Sequence, residues 1–497
     1  MTVLAHRTDT VTRDALAVLQ PGFEGTTAPA WLLRLIGEGL TSVGLFGRNI
    51  TSPGQLAALT ARLRAERDDV LVAIDEEGGD VTRLEVRDGS SFPGNLALGA
   101  VDDTGLTRDV AHELGRRLAA CGVNFNWAPS ADVNSNPDNP VIGVRSFGAD
   151  THLAARHTAA YVEGLQAAGV AACTKHFPGH GDTNVDSHHA LPRIDVDLDT
   201  LVARELVPFR AAIEAGTKAV MSAHILVPSL DPTRPATLSP QILTGLLRKE
   251  LGYEGLIVTD GMEMNAIAGT YGIERGSVLA LAAGADAICV GGGLADEDTV
   301  LRLRDALVAA VREGTLPQER LADAAARVRA LAEWTRRSRA AVAAPGAAPE
   351  GSGPGIGLTA ARRALVITGR ANRISAPYVA TLAPVANIAV GDETPWGVAG
   401  ALAALVPGTG AGVYPEGTSA GDILAAAGGR TVVAVVRDAH RHPWMTEALD
   451  ALVAARPDTV VVEMGLPRAE PRGALHIATH GAARVCGLAA AEVIAGA

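Results

Sequence analysis

The chain has 497 residues, a formal net charge of −12, 20% charged and 47% hydrophobic residues. That length points to roughly two to four domains, and the composition supplies a large core and excludes a disordered chain. The acidic balance argues against nucleic acid or an anionic membrane surface as the main partner.

The first twenty residues carry Arg7, Asp9, Arg13 and Asp14 and no apolar run suited to a signal peptide, and no later run suits a transmembrane span. The expectation is a soluble, cytoplasmic protein. Cys121, Cys173, Cys289 and Cys486 lie far apart in apolar segments and form no CxxC pair. They read as buried free thiols in a reducing compartment.

Short apolar runs recur at 16–20, 42–47, 70–75, 123–128, 171–176, 219–223, 256–260 and 285–291. Helical patterns such as 52–66, 107–121, 152–168, 198–215 and 240–251 lie between them. Eight candidate strands alternating with helices predict an α/β fold, a (β/α)8 TIM-type barrel. A doubly wound sheet would show the same alternation. The polar residues favour the barrel: Asp75 ends the third run, Lys175 and His176 the fifth, and Asp260 the seventh, with His224 just after the sixth. Polar groups at the carboxyl ends of strands converge on one face of a barrel. Two connections, 129–150 and 177–199, are long, as functional loops are.

A helical pattern over 298–339 closes this region. Residues 340–357, rich in Ala, Pro and Gly, read as a linker. Beyond it, strands are predicted at 364–368, 387–390, 431–437, 459–464 and 475–479, with a last helix over 482–495. The division is a catalytic barrel over 1–339, the linker, and a smaller α/β sandwich over 358–497.

The densest chemistry is Lys175-His176-Phe177-Pro178-Gly179-His180-Gly181-Asp182-Thr183-Asn184-Val185-Asp186-Ser187-His188. So many titratable groups at a strand's end are expensive to fold unless they are used. Asp186 and His188 are two apart, close enough for a carboxylate to hold the tautomer of an imidazole acting as acid and base. In Thr259-Asp260-Gly261-Met262-Glu263-Met264, Asp260 ends a strand and Gly261 permits close approach of a ligand. Taken alone, Asp260 serves equally well as a cap for the following helix.

The stretch from Lys175 to His188 resembles the signature of the NagZ-like β-N-acetylglucosaminidase branch of glycoside hydrolase family 3. The 256–264 segment resembles that family's nucleophile segment. The resemblance implies a retaining exo-β-N-acetylglucosaminidase acting on small glycans or muropeptides, with no metal and no cofactor. Asp260 would be the nucleophile, His188 the acid/base and Asp186 its partner. Lys175 and His176 would hydrogen-bond sugar hydroxyls. Asp75, in Asp75-Glu76-Glu77-Gly78-Gly79, would accept from two hydroxyls, and Arg83 would support that loop. Arg145 would offer donors to a hydroxyl or carbonyl, and Met221 and His224 would line the sugar's apolar face and floor. Glu76 replaces the family's usual Gln and Asp80 a position often held by Arg, which bears on fine specificity. The segment 437–442 reads as a solvated loop. A phosphorylase on the same scaffold is the competing reading, because a His acid/base leaves room for phosphate as acceptor. A barrel metallohydrolase fits poorly: no His-x-His ends the first strand, and Lys175 and Arg145 do not belong in a divalent-ion shell.

Overall fold

The computed structural model describes residues 9–185, 191–342, 355–371, 374–385, 390 and 393–496. Eight short parallel strands form the first unit: β1 (Leu19–Pro21), β2 (Ser42–Leu45), β3 (Leu71–Ile74), β4 (Phe125–Asn126), β5 (Ala171–Phe177), β6 (Ala219–Ser222), β7 (Leu256–Thr259) and β8 (Ile288–Val290). They pair in the order β2 to β7, β1 pairs with β8, and a bridge between Val258 and Ala287 joins the two groups. This is the expected (β/α)8 barrel. Every residue of the eight strands is buried, as sequences such as Leu-Val-Ala-Ile and Leu-Ile-Val-Thr require when both faces of a parallel sheet are covered.

Alternate strand residues, among them Ala73, Phe125, Cys173, Met221, Val258 and Cys289, fill the interior. Val328, Leu331 and Ala332 of the helix Gln318–Val342 join the same cluster. That helix closes the amino-terminal end, where Arg320 donates to Ala285 O and the Asn124 side-chain amide donates to the Thr335 hydroxyl. The opposite, carboxyl end is left for the site. The helices start where the sequence supplies caps: Ser52 before Pro53, and Asp103 and Asp150 each accepting a backbone N–H three residues on.

Three local readings change. The apolar run 16–20 is the buried end of a helix, Thr10–Ala17, followed by β1; periodicity alone does not separate a short buried helical segment from a buried strand. The helix expected over 198–215 carries a wide turn at Leu201–Glu205, beside Pro208, which has no N–H to give Arg204 O. The pattern over 298–339 is two helices, Glu297–Glu313 and Gln318–Val342, broken at Gly314 and Pro317.

The second unit is a six-stranded sheet in the order β11-β10-β12-β13-β14-β9: β9 (Val366–Gly369), β10 (Tyr378–Leu382), β11 (Gly410–Tyr414), β12 (Val432–Val436), β13 (Val460–Glu463) and β14 (Leu475–Ala478). All pairings are parallel except that of the edge strand β9. Apolar clusters on both faces make it the expected α/β sandwich. Strands β10 and β11 were not legible in their Ala- and Gly-rich surroundings, and 387–389 of the strand expected at 387–390 lie outside the described residues. The helix Ile356–Arg363 starts inside the stretch read as linker, and its Ile356 and Ala360 are buried in the barrel's core.

Candidate active site

A cavity of about 720 Å³ opens at the carboxyl end of the barrel. Asp75, Arg145, His176, Met221 and Asp260 line it, together with Phe46, Arg48, Arg83, Trp127, His180, Glu263 and, from beyond the barrel, Val390 and Glu393. Five of the nine expected site residues therefore line one cavity. Lys175 and His224 stand behind it. Asp186 and His188 lie outside the described residues.

The ladder between β5 and β6 shifts between Thr174 and Phe177, where Lys175 and His176 sit; such irregularities re-aim side chains beside active sites. Lys175 is buried, its Nζ 2.5 Å from Asp75 Oδ1 and 2.6 Å from Glu77 Oε1. Arg145 takes Glu77 as a fork, Nη2 to Oε1 at 2.7 Å and Nε to Oε2 at 3.0 Å. Burial by itself would raise the Glu77 carboxyl, but Arg145 and Lys175 outweigh it and hold it far below the usual range. Burial would likewise lower Lys175; Asp75 and Glu77 raise it instead. The charge of Lys175 thus goes to two carboxylates. Arg83 Nη2 lies 3.6 Å from Asp75 Oδ2 on the other side.

Asp132, in the long loop after β4, is the main residue that sequence reasoning missed. Its Oδ2 lies 2.6 Å from His176 Nδ1, and its Oδ1 accepts from the backbone N–H of His176 and of His180, at 3.2 and 2.7 Å. It is fully buried. Burial would raise it, yet the two histidines beside it and the His180 N–H hold it at about 2. His180 is pulled down to about 4 by burial and by His176, so its ring is neutral near pH 7. The only forewarning of Asp132 was its place in the 129–150 connection, a loop too long for a simple link.

Glycine lets these loops touch. A Cβ on Gly181 would meet Val133 O at 1.7 Å, so the 177–185 segment can lie against the Asp132 loop only with glycine there. Arg204 fastens the same segment from below, pairing with Asp182 and Glu205 at 2.6 Å each. Glu205 is buried against Gly179, and burial pushes its carboxyl up to about 7 despite Arg204.

Asp260 follows β7 and is half-buried. Its N–H donates to Ser222 O at 3.2 Å, and its Oδ1 accepts the N–H of Gly261 at 2.8 Å. Glu263 is held otherwise: its Oε1 accepts the N–H of Gly291 at 3.0 Å and that of Gly292. Burial pushes the Glu263 carboxyl up. His224 is fully buried between the Thr237 hydroxyl at 2.8 Å and Gly261 O at 2.9 Å. A carbonyl only accepts, so Nε2 of His224 carries a proton. It supports the turn after Asp260.

Residues 32–331 match the family described as glycosyl hydrolase family 3 N terminal domain. The chain is 37% identical over 344 residues to beta-hexosaminidase A of Pseudoalteromonas piscicida, which covers 64% of this chain and 57% of that one. It thus spans little more than half the length of that relative. A beta-hexosaminidase of Neisseria meningitidis serogroup C is 36% identical over 265 residues, 52% of this chain and 73% of the other. Among solved structures, a glycoside hydrolase family 3 beta-N-acetylglucosaminidase from Paenibacillus sp. str. FPU-7 superposes with a TM-score of 0.85 at 36% identity, covering 98% of this chain and 97% of that one.

Proposed function

The chain belongs to glycosyl hydrolase family 3, and from that premise we propose that it is a retaining exo-β-N-acetylglucosaminidase, hydrolysing terminal β-linked N-acetylglucosamine from small glycans or muropeptides. The observation that carries this reading is the position of Asp260 on the cavity wall, together with Asp75, Arg145 and His176, in a chain 36% identical to a beta-N-acetylglucosaminidase over nearly its whole length.

In this reading Asp260 attacks the anomeric carbon while His188 protonates the departing oxygen. A glycosyl-Asp260 ester results. Water then attacks that carbon, His188 takes the water's proton, and Asp260 leaves as carboxylate, with the anomeric configuration retained. Asp186 orients His188 and stabilises the imidazolium. Glu263, the rival carboxylate, fits the nucleophile's role less well, because backbone N–H groups hold it and burial favours its neutral form. Asp75 accepts from sugar hydroxyls, Arg145 and His176 contact the sugar's polar groups, and Met221 meets its apolar face. Lys175 acts through Asp75, and His224 through the carbonyl of Gly261.

The test is p-nitrophenol release from the β-N-acetylglucosaminide and the β-glucoside at neutral pH, with and without phosphate. Strong preference for the N-acetyl sugar, unaltered by phosphate, is the expected result. Acceleration by phosphate with sugar 1-phosphate as product would replace the hydrolase by a phosphorylase. Activity on the glucoside alone would overturn the reading.

A further inference from the structure

The turn that carries Asp75 is tied at its tip to the second unit. Asp80 is buried, and both of its carboxylate oxygens are engaged from across the unit boundary. Oδ1 accepts the backbone N–H of Ala482 at 2.7 Å, and Oδ2 is paired with the Arg437 guanidinium. The contact continues along the barrel segment: Arg484 Nε donates to Gly89 O at 3.2 Å and Val485 N to Ser90 O at 3.4 Å. Arg437 and its neighbours, expected as a solvated loop, are docked. His440 Nε2 donates to Pro137 O at 3.0 Å in the loop that also carries Asp132.

From Asp80 to the cavity the backbone has little freedom. Glu77 N donates to Val81 O at 3.0 Å, and Gly78 and Val81 form an antiparallel bridge, so Asp80 sits in a tight reversal. Gly78 and Gly79 both have positive φ, 77° and 67°, and a Cβ on Gly79 would meet Gly94 Cα at 2.4 Å. The buried Glu76 carboxylate then closes the loop, accepting from Arg83 N at 2.8 Å and Leu84 N at 2.7 Å. A displacement at Asp80 therefore passes to Glu77, which holds Lys175 and Arg145, and to Asp75 and Arg83 at the cavity.

We propose that the second unit is part of the sugar-binding apparatus: Arg437 and Asp80 are positioning residues that hold the 75–84 turn, and with it Asp75, in the geometry that receives the terminal sugar. Without its partners Asp80 would be an uncompensated buried charge, which the turn could relieve only by moving. This inference rests on the assignment of Asp75 to sugar hydroxyls. It gives the second unit a role in binding; no atom of Arg437 or Asp80 needs to touch the substrate.

The test uses the full chain with Arg437→Ala, Arg437→Lys and Asp80→Asn, and compares KM with kcat per active site. Contacts made equally in the ground and transition states appear in KM. Arg437→Ala is expected to raise KM for the p-nitrophenyl β-N-acetylglucosaminide about tenfold, the equivalent of 1.4 kcal/mol, with kcat little altered. Arg437→Lys, which keeps the charge and loses the fork, should fall between. Asp80→Asn should raise KM even if Arg437→Ala does not fold. Unchanged KM with a reduced active fraction would mean a structural tie only, and would overturn the proposal. Asp75→Ala, run alongside, separates the two failures. If it leaves KM unaltered, the assignment of Asp75 to the sugar is what fails. If it raises KM and the Arg437 and Asp80 variants do not, the coupling fails.

Discussion

Glu77 and Arg145 meet as a two-pronged ion pair with both side chains buried, Arg145 Nη2 2.7 Å from Glu77 Oε1, and Lys175 reaches the same oxygen at 2.6 Å. One carboxylate thus holds two cations on the floor of the cavity. Arg145→Lys keeps the charge but cannot reproduce the fork. It is expected to lower kcat/KM by tenfold or more while the protein remains folded. Glu77→Gln leaves two buried cations with less compensation, and such removals cost about 3–5 kcal/mol. The urea midpoint should fall accordingly, and an unchanged midpoint would show that the pair contributes nothing.

Asp132 carries its own pH dependence. Its folded value of about 2 lies below the ordinary 3.8. A depressed carboxylate contributes stability that is complete above pH 3.8 and is lost as pH falls towards 2, here about 2 kcal/mol. Asp132→Asn should lack that share of acid lability. It should also lower kcat/KM by loosening His176. Chemical denaturation at pH 3 and pH 6 checks the first, and steady-state kinetics the second.

Glu76 runs the other way. Burial raises its carboxyl from 4.5 to about 7, against the hydrogen bonds from Leu84, Thr82 and Arg83. A raised carboxyl contributes stability that is complete below pH 4.5 and is lost as pH rises through 7, about 3 kcal/mol in all. Glu76→Gln keeps an acceptor for the N–H groups of Arg83 and Leu84 and removes the titration. Its stability should fall less between pH 5 and pH 8 than that of the parent. Parallel curves would contradict the assignment.

The barrel was legible because most strands are short, largely apolar runs, and several polar site residues stand at or just past a strand's carboxyl end. Asp75 and Asp260 follow that rule directly. Asp132 does not, since it lies several residues into a loop and acts on His176 through the fold. Glu77 was read as part of a motif, but its grip on Lys175 and Arg145 depends on β3, β5 and the 143–145 turn converging, which no local pattern encodes. The same holds for Lys175: the motif places it at the end of β5, but its ties to Asp75 and Glu77 arise only from the fold. The tie from Asp80 to Arg437 spans 357 residues of sequence and belongs to no periodic pattern.

His188 is expected to matter in proportion to the basicity of the departing group. His188→Ala should slow an alkyl or disaccharide glycoside far more than the p-nitrophenyl glycoside, whose phenolate departs without a proton. Equal losses on both substrates would count against His188 as the acid.

The central claim is that Asp260 forms a covalent bond to the sugar. A 5-fluoro-N-acetylglucosaminyl fluoride, which forms the ester faster than water removes it, should label the protein once, and the mass of the digested peptides should place the sugar on Asp260, with no label in Asp260→Ala. Label on Glu263, or turnover that persists in Asp260→Ala, would contradict the account.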